Sequence, residues 1–124
     1  MLLLKKPLGN ISQIAEIAQL CGENLNIYSG NDDQILPVLS LGGLGVISVL
    51  SNIVPKDVHN MIQYFSDGKL ADSLALQLKT LPLIKALFSE TNPIPIKSAL
   101  DIMGYDVGIP RLPLIEMSSY GKEM

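Results

Sequence analysis

The first hundred residues alternate between short apolar runs and longer stretches in which apolar residues recur at helical spacing. Leu2 to Lys5 is a short apolar run that predicts a strand. Pro7 pushes the residue before it into extended backbone, and Gly9 predicts a turn. Asn10 can cap a helix, with Gln13 three residues on, and Ile11, Ile14, Ala15, Ala18 and Cys21 then share one helical face up to Gly22. Leu25 to Tyr28 predicts a second strand. Asp32 and Asp33 open a short apolar helix, Ile35 to Leu41, which Gly42, Gly43 and Gly45 stop. Val46 to Val49, rich in β-branched residues, predicts a third strand. These apolar runs lack strict alternation, as strands covered on both faces of a parallel sheet do. The order β-α-β-α-β predicts parallel strands joined by right-handed crossovers.

Beyond that point the pattern is helical throughout. Pro55 suits the first position of a helix whose apolar face is Val58, Met61, Ile62 and Phe65, ending at Gly68. Leu70 to Ser89 predicts a longer helix with apolar positions at Leu70, Leu74, Leu78, Leu81, Ile84 and Phe88. Pro82 inside it predicts a kink or a split. Asn92-Pro93 starts another helix, with Ile96, Ala99, Leu100 and Met103 on one face. Asp106 to Pro113 predicts a loop, and Ser118 to Met124 the start of a last helix. The expected organisation is therefore a β/α segment over residues 1–54 and a run of helices over 55–124.

Composition narrows the function classes. The chain has 124 residues, with 48% hydrophobic positions and a mean hydropathy of +0.33. That is apolar for so small a chain, and it predicts a face that another chain covers. Net charge is −3, with no basic stripe and no tryptophan, so nucleic-acid binding is not expected. No apolar run approaches the ~18 residues of a membrane span. The MLLLKK start is too short for a secretion signal. Cys21 is the lone cysteine, which excludes an internal disulfide and fits a reducing cytoplasmic setting.

In α/β proteins the chemistry sits at the carboxyl ends of strands. Ser29, Gly30 and Asn31 follow the second strand, and Ser48 to Asn52 the third. Lys5 and Lys6 end the first. Adjacent strand residues point to opposite faces, so only one of the two can enter a given cavity. A desolvated lysine at a strand end can attack a carbonyl to form a Schiff base, and a solvated pair is the ordinary alternative. Asn31, Asp32 and Asp33 could hold a metal or an amine, although capping the following helix is the simpler role. His59 has no ligand partner at metal spacing and reads as a surface residue. The Gly42-Gly43-Gly45 run follows a helix and precedes a strand, the reverse of a dinucleotide fingerprint, so it reads as helix stop and turn.

Five pieces, taken together and in order, resemble the dihydrodipicolinate synthase family. They are Gly9-Asn10, Ser29-Gly30-Asn31-Asp32, Gly45-Val46-Ile47-Ser48-Val49, Asn92-Pro93-Ile94-Pro95-Ile96-Lys97 and Arg111-Leu112-Pro113. The resemblance implies an α/β fold, a partial (β/α)8 (TIM) barrel with three parallel strands followed by a C-terminal helical cluster. It implies a Schiff-base lyase acting on pyruvate and aspartate 4-semialdehyde in lysine (diaminopimelate) biosynthesis, with no cofactor or metal. Lys5, four residues before Gly9, falls on the family's Schiff-base lysine. The sequence after it, Lys6-Pro7-Leu8, departs from the family's usual Lys-Glu-Ala. Gly30 matches a position near bound substrate, and Ile47 one whose backbone carbonyl lines the lysine's pocket. The family's Thr-Thr pair, relaying tyrosines and carboxylate-binding arginine have no counterpart in these residues; Tyr28, Tyr64, Tyr105, Tyr120 and Arg111 match none of them. The expectation is a truncated chain that is inactive alone and self-associates. A non-catalytic structural fragment, or a small anion-binding α/β module using Gly30 and Asn31, are the alternatives.

Overall fold

The computed structural model of the chain describes residues 2–6 and 10–123. The elements are β1 (Leu2–Lys6), α1 (Ile11–Cys21), β2 (Leu25–Ser29), α2 (Ile35–Ser40), β3 (Gly45–Val46), α3 (Pro55–Ser66), α4 (Leu70–Leu87), α5 (Ile94–Ile102) and α6 (Ser119–Glu123). The three strands form one parallel sheet in the order β1-β2-β3. Lys6, which Pro7 was expected to hold extended, closes β1, while the turn expected at Gly9 lies outside the described residues.

Local chemistry accounts for most of the boundaries. Asn10 is extended, and its Oδ1 accepts from Gln13 N at 3.3 Å, which satisfies one orphan amide at the start of α1. Gly22, at φ 51°, ends that helix. Helix α2 ends at the glycine pair as the sequence predicted. Gly42 takes φ 88° and donates to Leu39 O at 3.0 Å, while Gly43 donates to Val38 O at 2.9 Å. Pro55 occupies the first turn of α3.

The bounds of the third strand need correction. The third strand was expected over Val46 to Val49, but pairing stops at Val46. Ile47 N still reaches Ser29 O at 2.9 Å. The chain then turns, because Ser48 Oγ accepts from Ser51 N at 2.8 Å and a 3-10 turn forms over Leu50–Asn52. Of the two outcomes expected at Pro82, a kink or a split, the split does not occur, and the helix runs unbroken from Leu70 to Leu87. A proline withholds one amide donor, here the one that would serve the Leu78 carbonyl. Pro82 and Leu78 are both exposed, so water can take that role.

Sheet and helices share two cores. Ile27 of β2 packs with Ile14 of α1 and Val38 of α2. Ile35, Leu39, Leu50, Met61, Ile84 and Leu87 centre the larger core, to which β3 contributes Val46. Burying each such side chain contributes about 1.5–3 kcal/mol. Ser73 Oγ donates to Met61 O at 2.6 Å and joins α4 to α3.

The helix-packed face of the sheet is therefore the one bearing Ile27 and, in the next strand, Val46. Strand alternation puts Tyr28 on the other face, and the register Lys5↔Tyr28↔Gly45 puts Lys5 with it. The segment after α5 is held by Lys97, whose Nζ donates to Val107 O at 2.6 Å and Gly108 O at 3.1 Å. Further on, Ser118 donates through both N and Oγ to the Glu90 carboxylate, and α6 follows.

Candidate active site

Lys5, Gly30 and Ile47 come from three different strands, yet the sheet brings them to one edge. Lys5 is the penultimate residue of β1, Gly30 follows β2 directly, and Ile47 follows β3 directly. The register makes Lys6, Ser29 and Val46 one row across the three carboxyl ends, so the three candidate residues lie within one position of a common line. Lys5 is exposed, and Ile47 is 43% exposed.

The turn at Gly30 is built by Ser29. Its buried Oγ donates to Asn31 O at 2.7 Å and accepts from Asn31 N at 3.3 Å, which closes the chain tightly around the glycine. Asp32 comes next and does not cap α2. Its side chain is 1% exposed, and Oδ2 accepts from Val49 N and Leu50 N, both at 3.0 Å. The acid thus ties the loop after β2 to the loop after β3. Oδ1 is buried with no hydrogen-bond partner among the described residues.

Helix α4 supplies the second tie. Gln77 is 4% exposed; its Nε2 donates to Asp32 O at 2.9 Å and its Oε1 accepts from Leu36 N at 3.2 Å. Sequence reasoning did not single out Gln77. The signal was present in its spacing: Ser73, Gln77, Thr80, Ile84 and Leu87 recur every three or four residues and form the buried face of α4.

The other candidates fall away from the edge. His59 is exposed on α3, and Cys21 is partly buried at the end of α1. Among the described residues no three His, Cys, Asp or Glu side chains converge as a metal site would require. A cleft of about 490 Å³ lies beside the Gly30 turn, between Asn31, Asp32 and Asp33 on one side and Leu81, Ile84, Lys85 and Phe88 of α4 on the other. No helix among the described residues is long and apolar enough to cross a membrane.

The sequence model described as the Dihydrodipicolinate synthetase family matches residues 1–124. The chain belongs to this family. A 4-hydroxy-tetrahydrodipicolinate synthase of Caldicellulosiruptor bescii is 56% identical over 121 residues, covering 98% of this chain and 41% of the relative. One from Clostridium tetani is 55% identical over 114 residues, 92% of this chain and 39% of the relative. The crystal structure of dihydrodipicolinate synthase from Aquifex aeolicus superposes with a TM-score of 0.94 at 36% identity, covering 99% of this chain and 42% of that one. The Thermotoga maritima enzyme gives 0.92 at 38% identity, over 99% of this chain and 43% of that one. The chain thus spans about two fifths of the length of these dihydrodipicolinate synthase relatives. Its three parallel strands and their helices form part of the TIM-barrel fold of those dihydrodipicolinate synthases.

Proposed function

We propose that the chain carries the C-terminal share of the active site of a pyruvate-dependent Schiff-base lyase, one that condenses pyruvate with aspartate 4-semialdehyde in lysine biosynthesis. The observation that supports this reading is the convergence of Lys5, Gly30 and Ile47 on the carboxyl edge of three adjacent parallel strands in a member of this family. In that role the Lys5 amine adds to the ketone of pyruvate and water leaves, giving an imine. Loss of a methyl proton gives the enamine, whose carbon attacks the aldehyde of the second substrate. Gly30 leaves room for substrate to approach the backbone, and the carbonyl of Ile47 faces the lysine's pocket.

These 124 residues alone are proposed to stop short of turnover. No tyrosine relay, arginine or threonine pair of the family's kind is present to move protons or orient carboxylates. Residues 1–54 would supply the barrel portion and 55–124 the last barrel helix with the helical extension. The setting would be the cytoplasm, where the lone Cys21 stays reduced. The exposure of Lys5 favours a second reading, a structural fragment without chemistry.

Pyruvate and borohydride, followed by peptide mass spectrometry, separate the two. The lyase reading expects a reduced pyruvyl adduct on Lys5 that Lys5→Ala abolishes. An adduct spread evenly over the surface lysines, or none at all, leaves the structural fragment. Tight anion binding without an adduct would instead support the Gly30–Asn31 module.

A further inference from the structure

The two residues that flank the proposed lysine pocket stand on loops that the sheet itself holds weakly. β2 and β3 pair over only two residues, Tyr28↔Gly45 and Ser29↔Val46, with Leu44 N donating to Ile27 O before that pair and Ile47 N to Ser29 O after it. Asp32, two residues beyond Gly30, links the two loops. Its carboxylate oxygen Oδ2 lies 3.0 Å from both Val49 N and Leu50 N, two and three residues beyond Ile47. The Asp32 main chain is fixed in turn from α4 by the Gln77 amide, which uses its donor on Asp32 O and its acceptor on Leu36 N.

We propose that Asp32 is a positioning residue of the lysine site: its buried carboxylate sets the separation of the Gly30 and Ile47 loops, and Gln77 carries the placement of the helical extension into the same loop. Two hydrogen bonds from consecutive amides to one oxygen fix the orientation of that backbone as well as its distance. An apolar residue of similar size would leave both amides unpaired in the interior. The effect of Asp32 on pyruvate rests on the lyase reading above, whereas its effect on the loops does not.

The test is amide hydrogen exchange by NMR on the chain carrying Asp32→Ala, Asp32→Asn or Gln77→Ala, together with the pyruvate concentration that half-saturates borohydride trapping. In Asp32→Ala, exchange at Val49 and Leu50 should rise about ten- to a hundredfold while the β1–β2 ladder keeps its protection. The half-saturating pyruvate concentration should rise severalfold, a change that mere loss of folded protein does not produce. Asp32→Asn keeps an acceptor oxygen and should restore both. Gln77→Ala should speed exchange at Leu36. Unchanged protection at Val49 and Leu50 in Asp32→Ala overturns the proposal, as does Asp32→Asn behaving like alanine. If Asp32→Ala does not fold, the exchange pattern of Asp32→Asn decides. If the unmodified chain traps no pyruvate, the lyase reading falls and exchange alone decides the role in the loops.

Discussion

Gly43 is required by its neighbour rather than by its own torsion. A Cβ built there would lie 2.6 Å from Val38 Cγ1 and 2.7 Å from Val38 O, the carbonyl to which Gly43 itself donates. Backbone must move to admit it, so Gly43→Ala is expected to cost about 1–3 kcal/mol, read as a lower urea midpoint at fixed protein concentration. An unchanged midpoint would mean that the turn adapts freely. At this scale the sequence was partly legible. The glycine run announced a helix stop because it followed apolar helical spacing and preceded β-branched residues. Asp32 was not legible. An acid before a short apolar helix looks the same whether it caps that helix or reaches amides 17 and 18 residues further on.

Helix α4 shows why apolar spacing can point to the wrong face of an element. The apolar residues Leu70, Leu74 and Leu78 suggest one stripe, yet they are 55%, 44% and 55% exposed. The buried face carries Ser73, Gln77 and Thr80 in its first half and Ile84 and Leu87 in its second. The polar half is tolerated because each group is paired: Ser73 with Met61 O, Gln77 with the Asp32 loop, and Thr80 Oγ with Leu76 O at 2.9 Å. Helix existence and ends were legible from Pro55, Gly68 and Gly104. The buried side of α4 was not, because the Ser73 and Gln77 pairings are tertiary. Unfolding measurements should separate the two faces. Ile84→Ala is expected to cost about 2–5 kcal/mol, and Leu74→Gln no more than about 0.5 kcal/mol. Comparable losses from both would return the leucine stripe to the core.

At the scale of the molecule, the order of strands and helices followed from the sequence because each crossover has its own turn signal. What covers the sheet is another matter. Ile47 and Leu44, on either side of β3, stand 43% and 54% exposed, in addition to the leucines of α4. Several side chains worth about 1.5–3 kcal/mol each, set against a net stability of about 5–15 kcal/mol, make burial by association favourable. The open edges at β1 and β3 offer unpaired backbone for the same purpose. The segment after α5 is tied to Lys97 and Glu90, so those anchors hold it at the helices. Sedimentation velocity over a micromolar concentration series should therefore show species larger than a monomer, with the larger share at higher concentration. A compact monomer throughout, with cooperative unfolding and no uptake of a hydrophobic dye, would contradict this.

The row Lys5, Tyr28, Gly45 crosses the sheet with a large ring beside a vacant position. A Cβ at residue 45 would already lie 3.4 Å from Tyr28 Cε1 and 3.9 Å from Ile62 Cδ1, so alanine fits and anything longer presses on the ring. Positions 28 and 45 therefore form one locus for protein engineering. A library that varies them independently would consist largely of overfilled or hollow pairs. One that exchanges bulk between the two as a unit could reshape the ground beneath Lys5 while leaving the strands in register.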